Sequence, residues 1–437
     1  MIVSADWVLP ISGRPIRNGA VWSRSSRIDT VGHVDDVMTA AGGLETIQHF
    51  AGCAIVPGLV NAHTHLSLTG LAGLIPTRSQ RGWDTALSTA LRALDDDDLS
   101  ACATAGALHC LRTGVTVVGD VALGPDSLAA CADTGLGGVF YWEVAGIKAE
   151  DLSGDLADRE FPTNPGRSVA ARARLGVSPQ TPYTSGPGLL QAAHRVASTH
   201  LLGFAMHVAE SPAERELMRA GTGALAATAR RLAHGFVSPG TGTVEYLQRL
   251  GVLDGTVAVH CTNIDENDVV RLKRHARGVV LCPRSDAAMG NGTAPVSAFS
   301  RVGVCMALGT ESLASVPDLD LFAEARALRG LDVTLTAART LEIMTRDGAA
   351  VLGVDDAFGT LEHGKQADLV VIDVGATLDP ESAVVTWGSP ERVVAVISAG
   401  LWRVRDHKAV FPSDSTERAC SRAGRRAAAA LSSAERA

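Results

Sequence analysis

The chain has 437 residues, 46% of them apolar and 20% charged, with 4% aromatic and a net charge of −8. That length suits one large domain plus a smaller one, and the mixing of acids and bases argues against a nucleic-acid backbone or an anionic membrane surface as partner. No run reaches the ~18 apolar residues of a membrane span, and the start MIVSADWVLPISG lacks a basic, then long apolar, leader. The eight cysteines are scattered with no C-x-x-C pair and read as reduced thiols, so a cytoplasmic protein is expected.

Residues 1–52 read as short strands and turns, in MIVSADWVL, GAVWSRSSRIDTVG and ETIQHFAGCAIV. Beyond them, short β-branched runs alternate with longer Ala/Leu helical patterns. The predicted strands are 53–60, 115–121, 137–144, 173–178, 203–208, 256–260, 278–282 and 303–308, with helices such as 98–112, 265–275 and 334–347. Eight such β/α units over about 300 residues predict a (β/α)8 barrel. A doubly wound open sheet competes, but no G-x-G-x-x-G follows the first strand. Strand-like runs return at 364–374, 391–404 and 407–411. The two strand-rich ends therefore predict a small β-sandwich drawn from both termini. The expected boundaries are 1–56 and 357–412 for that sandwich, 57–356 for the barrel, and 413–437 for a C-terminal helix or tail that frays.

In a barrel of this kind, chemistry belongs at the C-terminal ends of the strands. His63 and His65, in PGLVNAHTHL, end the first strand. In extended chain an i, i+2 pair points both imidazoles to one side, where they converge on one ion. The fifth strand ends in MHVAES, with His207 and, three residues on, Glu210. The sixth ends in VAVHCTN with His260, and ALGTESLAS places Glu311 after the eighth. Of 13 histidines, the remaining nine lie in helices, turns or the terminal strands and read as ordinary polar side chains.

The stretches PGLVNAHTHL, HVAES, HCTNIDENDV, VVLCPRSDAAMGNGTAPV, LGTESLASVPDLDLF and GTLEHGKQADLVVID occur in that order. Together they resemble the metal-dependent amidohydrolase superfamily, in its branch of cytosine, guanine, triazine and adenosine-type aminohydrolases and chlorohydrolases. The resemblance runs nearly end to end. It implies one divalent metal ion, zinc foremost and iron as the alternative, held by His63, His65, His207 and Glu311. It further implies an activated water, Glu210 as general acid toward a ring nitrogen, and His260 and Glu311 as partners of the water and of the departing amine. No organic cofactor is implied.

Three positions depart from the resembled pattern. Glu311 stands where Asp is usual, and its extra methylene adds roughly 1.5 Å of reach. It either ligates, only shuttles protons, or marks a weakened relative; retained activity is the favoured reading. Gln180, in VSPQTPYT, replaces a substrate-touching histidine, so a neutral amide would contact the substrate or brace the barrel rim. Asp286 stands where Asn is frequent and would serve as a helix N-cap. Arg284 and Ser285 are expected near the base or on the wall of the metal site. Arg78 and Arg81, in PTRSQRGWD, either reach an anionic substrate tail or are solvated lid charges.

The expected activity is hydrolytic deamination of an aminated purine-type base or nucleoside, with 6-aminodeoxyfutalosine, named from the resemblance, as first candidate. Alternatives are 5′-methylthioadenosine, adenosine, a chlorohydrolase or other hydrolase of triazine, guanine or cytosine-like rings, and a metal-poor binding homologue. The expected partners are a small-molecule substrate and, by analogy with the branch, a second copy of the chain or a higher homo-oligomer.

Overall fold

The computed structural model of the chain describes residues 1–42, 46–76, 80–124, 126–146, 152, 172–232, 236–410 and 413–436. Its N-terminal strands are β1 (Ile2–Val8), β2 (Ile16–Arg24), β3 (Arg27–His33) and β4 (Ile47–Pro57). The barrel strands are β5 (Leu59–Thr64), β6 (Val115–Ala122), β7 (Gly137–Val144), β8 (Ala173–Pro179), β9 (Gly203–Val208), β10 (Val257–His260), β11 (Gly278–Leu281) and β12 (Met306–Leu308). The chain closes with β13 (Leu369–Asp373), β14 (Val393–Ser398), β15 (Leu401–Arg405) and β16 (Lys408–Ala409).

Strands β5 to β12 form one parallel sheet in chain order, and among the described residues helices separate successive strands everywhere but between β7 and β8, as the alternating pattern predicts. Parallel strands covered on both faces must be apolar throughout, which is why VTVVGDVA of β6 is buried at every position. Val60, Val117, Val139, Tyr141, Val257 and Val280 fill the interior. Each such side chain contributes about 1.5–3 kcal/mol by leaving water. The first and last strands meet at a parallel bridge between Thr64 and Glu311. There the His65 amide donates to the Glu311 carbonyl at 2.8 Å, and the Thr310 amide to that of His63 at 3.0 Å. The seam that closes the barrel thus carries three of the expected site residues.

The second sheet runs β16-β15-β14-β13-β4-β1-β2-β3, joining the two chain ends through the β4–β13 pairing. One apolar face buries Val3, Val21, Ile55, Val371 and Ile397. Arg172, just before β8, ties this sheet to the barrel. Its guanidinium donates to both carboxylate oxygens of Asp368, at 2.9 and 2.8 Å, and to the Ser398 hydroxyl at 2.8 Å.

The predicted strand 53–60 proves to be two. Residues up to Pro57 end β4 in the second sheet, and β5 starts only at Leu59. Gly58 is the pivot: its amide donates to the Asp368 carbonyl at 2.9 Å, and a β-carbon there would lie 1.9 Å from Thr116 Oγ1. An apolar run that continues across a pivot hides the break. The expected fraying tail is a helix, Asp414–Arg436, with Cys420, Ala423 and Ala427 buried and Arg426 paired with Asp95 and Asp98. All eight cysteines are free, and among the described residues no helix is long and apolar enough to cross a membrane.

Glu324, on helix Leu321–Leu331, is fully buried and accepts from the Arg284 amide in the first turn of helix Pro283–Met289 at 3.0 Å. Burial pushes its carboxyl up to about 8, against the pull of Arg284. A carboxyl with a raised folded-state value adds stability that is complete below its ordinary value of 4.5 and is lost as pH rises toward 8. In thermal melts, E324Q should therefore gain on the wild type steadily between pH 5 and pH 8; a constant gap would show that Glu324 keeps an ordinary carboxyl. A second test concerns the pivot. Replacing Gly58 by Ala should cost about 1–3 kcal/mol of unfolding free energy, part of it recovered by Thr116→Ala, as measured by denaturant titration.

Candidate metal centre

The strand ends deliver the expected groups to one place. His63 is the last residue but one of β5, His65 follows that strand, His207 lies near the end of β9, His260 ends β10 and Glu311 follows β12. Ala209 (φ 50°), His260 (71°), Cys261 (53°) and Glu311 (61°) adopt left-handed backbone, which for non-glycine residues costs about 1–3 kcal/mol each. Such turns re-aim side chains at the strand tips, and here they direct His260 and Glu311 inward.

Glu311 Oε2 lies 2.8 Å from His63 Nε2, 3.5 Å from His260 Nε2 and 3.9 Å from His207 Nε2, while its Oε1 is 3.4 Å from His65 Nε2. The Nε2 atoms of His63 and His207 face each other at 3.2 Å. All of these side chains are buried. Burial lowers His63 to about 4 and His65 to about 3, although Glu311 pulls the other way. Burial alone would raise Glu311, but the surrounding imidazoles hold it well below the usual carboxylate range.

Imidazoles around one carboxylate form a donor set suited to a divalent cation of intermediate hardness. His260 Nε2 is buried and satisfied by no hydrogen bond, an expensive state that a ligand beside it would relieve. His63, His65, His207 and Glu311 offer atoms within 4.8 Å of one another. The residues present therefore fit a single metal ion. Cys282 lies beside His260 and Glu311, but burial holds its thiol well above the ordinary range, which disfavours the thiolate a metal needs.

Two of the rings are oriented from behind. The Gln180 carbonyl faces His207 Nδ1 at 2.9 Å, and Asp286 Oδ1 faces His260 Nδ1 at 2.9 Å. Such partners fix which ring nitrogen is turned inward. Burial opposes a charge on His260, yet Asp286, Glu210 and Glu311 outweigh it and raise the ring to about 10. The loop of Glu210 is clamped by Glu214, whose carboxylate accepts from the Ala209 and Glu210 amides, both at 2.8 Å, and from the Thr243 hydroxyl at 2.6 Å. The Asn291 side chain donates to Glu210 Oε1 at 3.0 Å and to Asp286 Oδ1 at 3.3 Å.

A cavity of about 380 Å³ opens over the cluster, lined by His65, His207, Glu210 and Glu311 and walled by Trp83, Asp84, Glu143, Gln180 and Ser285. Its size suits a small organic molecule. Burial, reinforced by Glu210, pushes the Asp84 carboxyl up to about 7.

Of the expected substrate contacts, Gln180 and Ser285 line the cavity, with the Ser285 hydroxyl on Ser315 Oγ at 2.9 Å. Arg284 does not line it; the guanidinium pairs with Asp318 at 2.6 Å on the far side of the helix. Successive helical residues point about 100° apart, so neighbours in sequence part company here. Asp286 is not an N-cap. Cys282 holds that position, and Asp286 lies within the helix, turned to His260. Arg78 and the side chain of Arg81 lie outside the described residues.

Sequence reasoning missed Asp84, Glu214 and Asn291. The S-x-x-E spacing of Ser211 and Glu214 is a helix-start signal, and the Ser211 side chain does cap the Glu214 amide. The Glu214 carboxylate, however, reaches back past Ser211 to the amides of Ala209 and Glu210. No pattern marks Asn291, which sits between two glycines.

Comparison with known proteins follows the same lines. A 5-methylthioadenosine/S-adenosylhomocysteine deaminase of Symbiobacterium thermophilum is 29% identical over 389 residues, 85% of each chain. A zinc-bound adenosine deaminase from Xanthomonas campestris superposes with a TM-score of 0.83, at 23% identity, over 98% of each chain. Helicobacter pylori aminofutalosine deaminase does so with a TM-score of 0.78, at 20% identity, over 92% of this chain and 99% of that one. At such identities the two structures share the fold. The model of the amidohydrolase family matches residues 54–403, most of the chain, and the protein belongs to that family.

Proposed function

We propose that the protein is a metal-dependent hydrolytic deaminase that removes the 6-amino group of an adenosine derivative as ammonia. The observation that carries this reading is the placement of Glu210 on the wall of the same cavity into which the His63, His65, His207 and Glu311 cluster opens. The printed activity of the Symbiobacterium relative supports the choice of an adenine ring.

In this reading His63, His65, His207 and Glu311 hold one divalent ion, with zinc the expected metal. When bound, such an ion would bring the pKa of a water toward neutrality and so supply a nucleophile at working pH. The chain's own groups handle the protons. Glu210 gives a proton to the ring nitrogen beside the carbon under attack, drawing electron density off that carbon. His260, braced by Asp286, presents Nε2 toward the attacking oxygen and holds it in line. Glu311 receives the proton released there and passes it to the departing amine. The Gln180 amide and Ser285 face the substrate from the wall. Close packing of the rings, backed by fixed acceptors, spares reorganisation when charge develops.

Ammonia release from zinc-loaded protein should be measured across 5′-methylthioadenosine, S-adenosylhomocysteine, 6-aminodeoxyfutalosine and adenosine, with an aminated and a chlorinated triazine as controls. Release from at least one nucleoside, with none from the triazines, is the expected pattern; chloride release alone would replace the reading. Glu210→Gln should cut kcat by ~10²–10⁴ with metal content unchanged, and near-wild-type turnover would refute the acid role. Removing the ion with a chelator should abolish turnover and lower Tm. Restoring free zinc at a hundredfold excess over its Kd should return about 2.7 kcal/mol of stability, and a melting curve indifferent to zinc would empty the proposed site.

A further inference from the structure

Asn291 follows helix Pro283–Met289 between Gly290 and Gly292, both with positive φ, and is 2% exposed. Its backbone is fixed at both ends. The amide donates to the Asp286 carbonyl at 2.9 Å, and its own carbonyl accepts from Asn263 Nδ2 at 2.7 Å. Asn263 and Thr262 also donate to the Glu210 carbonyl, at 3.1 and 2.5 Å. The residue is therefore built into the loop that carries Glu210.

The side-chain amide offers two N–H donors and no acceptor at Nδ2. Both atoms it meets, Glu210 Oε1 and Asp286 Oδ1, must then act as acceptors. The flipped amide would set its oxygen against two carboxylate oxygens, which is repulsive unless both acids are protonated. With Oε1 occupied as an acceptor, any proton on Glu210 sits on Oε2. At the same time Asp286 Oδ1 accepts from Asn291 and from His260 Nδ1, so one side chain spans the two groups that handle protons.

We propose that Asn291 is a positioning residue that confines the acidic proton of Glu210 to Oε2, the oxygen left for the substrate, while its second N–H steadies Asp286 behind His260. This rests on the reading of Glu210 as the proton donor. Losing the amide frees the carboxyl to rotate and to carry its proton on either oxygen, so part of the population faces the substrate with the wrong atom. Substrate binding, which uses the cavity wall, changes little.

The test is steady-state kinetics on zinc-loaded N291A, E210Q and the double variant, with a crystal structure of N291A. We expect N291A to lower kcat about 10- to 100-fold, the size of a lost hydrogen bond to a charged group, with KM within about threefold and zinc content unchanged. In the E210Q background the same substitution should cost clearly less, because only the contact with Asp286 is then left to lose. In the crystal the Glu210 carboxyl of N291A should occupy more than one orientation. A wild-type kcat in N291A, an equal loss in the E210Q background, or a single unchanged Glu210 conformer would each overturn the proposal. N291D keeps the shape and is the second variant should N291A fold poorly. It sets a third carboxyl against Glu210 and Asp286 and should lose more kcat than N291A; equal or higher activity would also overturn it. Absence of ammonia release by the wild type on every nucleoside would instead strike the deaminase reading, and the crystal structure would still decide the geometric claim.

Discussion

A carboxylate buried among imidazoles, at the seam where the first and last strands of the barrel meet, is the constraint on which the rest of the structure turns. Glu311 is 7% exposed and reaches His63, His65 and His260. Taking a charge out of water is costly, and the cost is borne only when partners surround it. The same residue closes the barrel through its backbone, accepting from His65 and bridging Thr64. Asn61 locks the seam from below, through Thr310, with 2.7 and 3.1 Å contacts. Fold closure and site assembly are thus one event: whatever displaces Glu311 also opens the sheet, and whatever opens the sheet scatters the rings.

Around that centre, two of the rings are held by a partner from a neighbouring strand end, and the Glu210 turn is clamped from within its own loop. The carbonyl after β8 fixes a ring on β9, a carboxylate after β11 fixes the ring on β10, and Glu214 clamps the turn that follows β9. Left-handed backbone at Ala209, His260, Cys261 and Glu311 stores strain at just these tips. A sheet buried on both faces is rigid enough to hold three strained turns side by side, and the exposed ends of its helices are not asked to do so.

How much of this could be seen in the sequence depends on the range of the interaction. The barrel strands were visible because parallel strands are apolar at every position, and the clustered histidines because each ends such a run. The limit between β4 and β5 was not, since the run from Cys53 to Val60 is apolar throughout and only the approach of Thr116 to Gly58 sets the pivot. Arg284 and Asp286 lie within one helical turn of Ser285, and composition cannot say which faces the cavity. The helix axis decides it, and that axis is set by contacts such as Glu324 with the Arg284 amide, 40 residues apart. Glu214 displayed a local signal, S-x-x-E, and spent its carboxylate on a different pair of amides. Asn291 displayed none, because its role exists only once three strand ends are side by side.

The departures from the resembled pattern fall where this architecture tolerates them. At residue 180 the group that orients His207 is the main-chain carbonyl, which any side chain supplies; glutamine in place of histidine therefore leaves the ring in position and alters only the face turned to the cavity. At residue 311 the barrel seam also uses main-chain atoms, so the longer acid need not disturb the strand pairing. Asp286 is different, since its side chain is the contact. A carboxylate behind His260 attracts the Nδ1 proton more strongly than an amide oxygen would, and charge-assisted bonds of this kind are about twice as strong as neutral ones. Variation in the backbone-held positions reshapes what the cavity accepts, whereas variation at Asp286 changes the ring that faces the reaction.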